Sequence, residues 1–386
     1  MRVGMRANTL KKATIWKLTA SLLTAFMMIH YSLIIFEESV LRKILPLLLI
    51  LCFPQVVLAS DCLKTPNENG CRAGLPEDTY DALLEEMARY SEPEVRSLEP
   101  NRDEIYRYAY WRLDAPNGIT IYNAPGGSPI KALDPGYHYV SAYSYQDGWV
   151  EINPGQWVMD DDHTYGVRPS EFAGVFLDKD DLKYPMLWVL VNSYPSPYPG
   201  AEPDKTAAVI PRYTRASIFA TVKVDGWEWY LVSPDHWIKQ TEVARVKLSE
   251  KPSEVEGRWV AVDLYEQVLV AYEEETPIFA TLIASGLPQW STNEGTFRTA
   301  SRKEDAPMSG AEGQSDFYRL ENVPYAMYFD GKISLHGTYW HDRFGYRQSH
   351  GCVNMSITDA YWLYHWTLDA GYEQFWVHVF SSGEYQ

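Results

Sequence analysis

His336-Gly337-Thr338 opens, and Ser349-His350-Gly351-Cys352-Val353-Asn354 closes, a loop of aromatic and polar residues. Before the loop, Lys332–Leu335 has strand character. After it, Ser356 and Asp359 have the Ser-x-x-Asp spacing of a helix start, and Ile357–Leu368 carries a helical pattern that stops at Gly371. A cysteine thus stands in a loop beside a glycine, just ahead of a helix. A thiol nucleophile must be partly ionised and within reach of a base. Gly351 lets a backbone N–H approach a substrate carbonyl, as an oxyanion hole requires. The helix dipole adds little, because it fades beyond the first turn and Cys352 lies ahead of the cap. Activation therefore falls to a histidine, with His336, His341 and His350 as candidates.

Outward from that loop, the cysteines set the compartment. The chain has 386 residues and four cysteines. Ile44–Ala59 reads as the apolar core of a signal peptide behind Arg42-Lys43, with a cut expected after Ala59; Asp61 disfavours a lipoprotein cut at Cys62. An earlier apolar run, Leu18–Phe36, is long enough to span a bilayer, but it would leave Arg42 and Lys43 outside. A true start near Val40 or Leu41 removes that conflict. Either way the body is expected to be exported to the periplasm, wall or exterior, with residues 1–60 as signal peptide or membrane anchor. Cys52 then leaves with the leader, and Cys62 and Cys71 can close a short loop in an oxidising compartment. Cys352 is left without a partner.

The charge excludes other classes. A formal −17 splits into a basic leader and 27 basic against 49 acidic residues in 61–386, which speaks against a nucleic-acid surface. Along the body, 61–104 reads as a short helix (Pro76–Tyr90) and an acidic linker (Ser91–Asp103). Beyond it, short β-type runs dominate. Asp147-Gly148-Trp149 followed by Trp157, and Asp225-Gly226-Trp227 followed by Trp237, form a weak repeat over 105–172 and 173–247. Each unit resembles a bacterial SH3-like β-barrel, whose aromatics either fill a small core or bind glycan or wall peptide. Lys247–Gly257 is a charged linker, and 257–381 forms a further β-rich domain. The fold class expected is mainly β and multidomain.

A histidine, about fifteen residues, then Ser-His-Gly-Cys-apolar-Asn resembles the signature of the L,D-transpeptidase (YkuD-type) catalytic domain. Arg258–Leu264 looks like its opening strand, Glu294-Gly295-Thr296-Phe297 like its G-x-F/Y turn, and Val323–His336 like the strands leading to its first histidine. The resemblance covers about 257–380. It implies Cys352 as nucleophile, His336 as base oriented by the Gly337 carbonyl, and Gly351, His350, Ser349 and Asn354 as oxyanion and site-shaping residues. Many members carry Arg where Asn354 stands; Asn offers hydrogen bonds but no charge. Ala306–Ser315 is expected to act as a mobile lid. Tyr325, Tyr339, Trp340 and Tyr346 either line the groove or pack in the core, and His341-Asp342 reads as an exposed loop pair.

The implied chemistry is acyl transfer on peptidoglycan stem peptides: attack after the third residue of a donor tetrapeptide, loss of D-Ala, and a 3→3 cross-link to an acceptor amine. No cofactor is expected. His336, His350 and Cys352 are zinc-ligand types, but no metalloprotease motif accompanies them, and no metal is expected. Two alternatives use the same residues or none: an L,D-carboxypeptidase or hydrolase in which water is the acceptor, and a catalytically inactive wall-binding protein.

Overall fold

The computed structural model describes residues 62–177, 182–314, 316–369, 371 and 374–384. The leader, its alternative start and Cys52 lie outside the described residues, as does Ser315. Among the described residues, no helix is long and apolar enough to cross a membrane.

Strands dominate. Upstream come β1 (Val95–Ser97), β2 (Ala109–Ala115), β3 (Gly136–Ala142), β4 (Thr164–Gly166) and β5 (Val175–Leu177). In the C-terminal region follow β6 (Arg258–Asp263), β7 (Val268–Glu273), β8 (Thr276–Leu282), β9 (Gly295–Arg298) and β10 (Ser301–Gly310). The last are β11 (Tyr318–Asp330), β12 (Ile333–Gly337), β13 (Val353–Met355) and β14 (Trp376–Phe380). Helix α1 is Glu77–Arg89, α2 is Arg102–Ile105, and α3 is Ile357–Asp369.

Two seven-stranded sheets carry the architecture. One runs β4-β2-β3-β11-β12-β13, with β10 also on β11; the other runs β9-β14-β6-β7-β8-β5-β1. Upstream strands therefore continue the sheets of the C-terminal region. The segment 91–103 differs from the linker expected, because Val95–Ser97 pairs with β5 and supplies a sheet edge. Residues 306–310 of the expected lid also differ: they lie in β10, laddered against β11 in a long hairpin.

The two upstream units each have a core of their own. In the first, Leu113 and Val140 meet Ile121, Val150, Ile152 and Val158 from a five-stranded sheet. In the second, Leu187 and Val189 meet Ile218, Tyr230, Val232 and Ile238. Alternation along a strand sends the intervening residues elsewhere. Met186 and Trp188 join Trp259, Val270 and Tyr272 of the second large sheet. Asp147-Gly148 and Asp225-Gly226, all at positive φ, are the two-residue hairpin turns of the repeat. A disulfide joins Cys62 to Cys71 ahead of α1.

Candidate active site

Strands β12 and β13 run parallel, with Leu335 beside Val353 and His336 beside Asn354. Leu335, Val353 and Met355 point into the main core. Side chains alternate, so His336 and Asn354 face the other way. There, with Cys352, they line a cavity of about 250 Å³. Helix α3 fixes this pair from behind. Its start is capped by Ser356 Oγ, which accepts the Asp359 N–H at 3.0 Å. The Asp359 carboxylate does not complete a capping box. It accepts the Gly174 N–H (2.8 Å) and the Thr281 hydroxyl (2.6 Å), tying α3 to two other segments. Burial lifts Asp359 to about 6, against the pull of these donors.

Cys352 is a free, half-buried thiol. Ser334 Oγ lies 3.7 Å from its sulfur and the Lys332 carbonyl 3.9 Å away. Burial pushes the thiol up, while the backbone and hydroxyl of Ser334 pull it down. His336 is 2% exposed, and its Nδ1 lies 2.9 Å from the Gly337 carbonyl oxygen. A carbonyl only accepts, so Nδ1 carries the proton and Nε2 holds the basic lone pair. Burial lowers His336 to about 4, opposed by that hydrogen bond. Near neutrality the pair is therefore an unionised thiol and a neutral imidazole. Gly337 is required by space: a Cβ there would sit 2.9 Å from Pro324 Cγ and 3.2 Å from Ile357 Cα.

The turn before Cys352 is braced by hydroxyls. Ser349 Oγ donates to the Cys352 carbonyl (2.5 Å) and accepts the Gly351 N–H (3.1 Å). In this geometry the Gly351 N–H therefore already has an acceptor. Gly351 itself has φ +113°, a conformation that favours glycine. Thr292 Oγ1 donates to the Gly351 carbonyl at 2.7 Å and accepts the Gly286 N–H. His350 pairs with Asp316 at 3.2 Å and lies against the Tyr318 ring.

Several aromatic candidates fall elsewhere. Trp340 lines the cavity, its ring 5.6 Å from that of His336. Tyr325 and Tyr339 are buried in the main core, where Tyr325 donates to Glu104 and Tyr339 to the Glu321 carbonyl. Tyr346 packs on the second core. His341 is half-buried rather than exposed, its Nε2 2.9 Å from the Asn354 amide. Burial drives it to about 3, so it is neutral, and its Nδ1 accepts the Arg343 N–H. Its proton is then on Nε2, which requires the amide oxygen of Asn354 to face it and leaves the NH2 as a buried donor. Sequence reasoning missed Ser334, Thr292 and Asp316, and also Arg112, Tyr137 and Tyr139, which line the same cavity from β2 and β3. Among the described residues, no group of three or more His, Cys, Asp or Glu side chains is placed to hold a metal.

No curated protein matches the chain. Among solved structures, an L,D-transpeptidase (Yku) from Stackebrandtia nassauensis is 26% identical over 36% of this chain and 62% of its own, with a TM-score of 0.27. An Enterococcus faecium L,D-transpeptidase is 28% identical over 33% of this chain and 50% of its own, at 0.29. The chain thus spans half to about three fifths of those structures. The catalytic domain of the E. faecium L,D-transpeptidase is matched over its whole length at 27% identity and a TM-score of 0.27. Residues 257–378, which hold His336, Cys352 and Asn354, match the family described as YkuD, the L,D-transpeptidase catalytic domain.

Proposed function

We propose that this chain is an exported peptidoglycan L,D-transpeptidase that works through a Cys352 thioester. The observation that carries the reading is the β12–β13 register, which turns His336, Cys352 and Asn354 onto one face and into one cavity within the matched segment. Cys352 Sγ attacks the carbonyl carbon of the third stem residue as its proton passes to His336 Nε2. The carbonyl electrons move to oxygen, held by the Cys352 N–H and the Asn354 NH2. The C–N bond breaks, D-Ala leaves with the proton from His336, and a thioester remains. A side-chain amine of a second stem attacks it and gives its proton to His336. The C–N bond forms, the C–S bond breaks, and the thiol is restored. The Cys62–Cys71 disulfide supports export, since such bonds persist in oxidising compartments.

We place wall-polymer binding by the second unit in its cleft of about 310 Å³, where Trp227, Trp229 and Trp237 lie beside Gly200–Pro203. Trp229 and Trp237 are buried and form its floor, and the half-buried Trp227 ring is the one that suits stacking on a sugar face.

Incubation with disaccharide tetrapeptide, read by mass, tests the reaction. Dimers lacking one D-Ala are expected with the native protein and absent with Cys352→Ala. Tripeptide alone would replace transfer by hydrolysis. No product from the native protein would leave the wall-binding alternative.

A further inference from the structure

The cavity at Cys352 is walled on one side by the first upstream unit. Arg112 on β2 is the direct partner of Tyr139 on β3, and Tyr139 is the direct partner of Leu320 on β11. Tyr137 is likewise beside Tyr318. Directly paired residues face the same way. All five side chains line the cavity that holds His336 and Cys352, whereas Leu113 and Val140 turn back into the unit's own core.

Two aromatic files run from Arg112 toward the thiol. On one, the guanidinium lies 5.7 Å from the Tyr139 ring, Tyr139 lies 6.3 Å from Trp340, and Trp340 lies 5.6 Å from His336. On the other, the guanidinium is 4.9 Å from Tyr137, whose neighbour Tyr318 packs 4.9 Å from His350. The cavity between the files is lined by both the thiol and the cation. Asp114, which does not line this cavity, takes Arg112 Nε at 2.6 Å and itself accepts the Tyr165 hydroxyl. The guanidinium is thereby fixed in place, with 30% of its side chain exposed.

Charge at the cavity is sparse. Asp316 is engaged by His350, and Asn354 carries none, so Arg112 is the one permanent cation among its described lining residues. The body of the chain is strongly acidic and repels an anionic substrate at range. A planar guanidinium held in the cavity wall is the side chain best suited to receive a carboxylate there.

We propose that Arg112 is a specificity-determining residue that binds a carboxylate of the substrate peptide remote from the scissile bond. An extended residue covers about 3.3–3.6 Å, so the three steps from Arg112 through Tyr139 and Trp340 to His336 put that carboxylate at most about five residues from the reacting carbonyl. The substrate class rests on the acyl-transfer reading of Cys352; the electrostatic recognition does not.

The test uses the full chain and chloroacetyl-trialanine, as the free acid and as the carboxamide. Cys352 Sγ displaces chloride, a C–S bond forms, and the thiol proton goes to solvent, so no acyl transfer is needed. The native protein is expected to be alkylated about tenfold more efficiently by the acid than by the amide, the size of one charge-assisted hydrogen bond. Arg112→Gln brings that ratio to about unity, and Arg112→Lys keeps part of it. In the native protein the preference also shrinks with added salt, a readout that needs no variant to fold. Equal rates for the two native reactions, or a preference that survives in Arg112→Gln, overturn the proposal. A carboxylate preference without thioester formation on stem peptide removes the transpeptidase reading alone; thioester formation without the preference removes the Arg112 assignment alone.

Discussion

Ser334 and Cys352 face each other from β12 and the residue before β13, hydroxyl oxygen 3.7 Å from sulfur. Since burial holds the thiol up, this contact and the Ser334 backbone are what pull it toward ionisation. Replacing Ser334 by Ala removes only the hydroxyl. Alkylation by iodoacetamide at neutral pH should slow by roughly tenfold, as a hydrogen bond to an ionised group is worth about 1.5 kcal/mol. An unchanged rate across the pH range would refute a role for the hydroxyl.

The acid limb of thioester formation should lie near pH 4 rather than 6.5. His336 is held at about 4, so it remains a competent base until the pH falls through that value. The same shift has a stability consequence. The folded state binds fewer protons than the unfolded state between about 4 and 6.5, so stability present above 6.5 is lost as the pH falls, by on the order of 3 kcal/mol. A pH–rate profile with its acid limb at 6–7 would contradict this.

Asp359 acts in the opposite direction. Its pKa is raised to about 6, so the folded state keeps a proton that the unfolded state releases, and stability falls as the pH rises from about 4 to 6. Asp359→Asn retains an oxygen for the Gly174 N–H and offers an NH2 to Thr281. Relative to native protein, this variant should gain up to about 3 kcal/mol between pH 4 and 7 in denaturant titrations. A gap between the two that does not vary with pH would show that Asp359 does not titrate in the folded protein.

Gly337→Ala should cost about 1–3 kcal/mol through overpacking against Pro324 and α3, with a matching fall in melting temperature. Because the Gly337 carbonyl holds His336 Nδ1, activity should fall further than stability predicts. Thioester formation equal to native, measured well below the melting transition, would separate this carbonyl from the orientation of the base.

The loop from His336 to Asn354 was legible because its chemistry is local: a strand, a loop and a helix start lie within one short run. The rest of the cavity was not. Arg112, Tyr137 and Tyr139 reach it through β3–β11 pairing across more than a hundred and fifty residues, and no local pattern encodes a partner strand. One trace does exist in retrospect. Arg112, Tyr137 and Tyr139 share the strand face opposite Leu113 and Val140, where a free-standing unit would turn to water. The tyrosines at 325, 339 and 346 show the converse: their composition suits a groove or a core, and only tertiary placement assigns them to the core. His341 was read with Asp342 as an exposed loop pair; its ring instead turns inward to Asn354.

The coupling of β3 to β11 rests on only three paired positions, Tyr137 to Tyr139 against Tyr318 to Leu320. Yet that short seam closes the flank of the hairpin beside the thiol. A fragment beginning at residue 257 would carry the whole matched segment, but β11 would then present unpaired N–H and C=O groups where the seam had been, next to aromatic rings stripped of their covering. Such a margin invites pairing with another molecule of the same kind. The fragment is therefore expected to self-associate, so the smallest well-behaved unit for laboratory work includes residues 105–172.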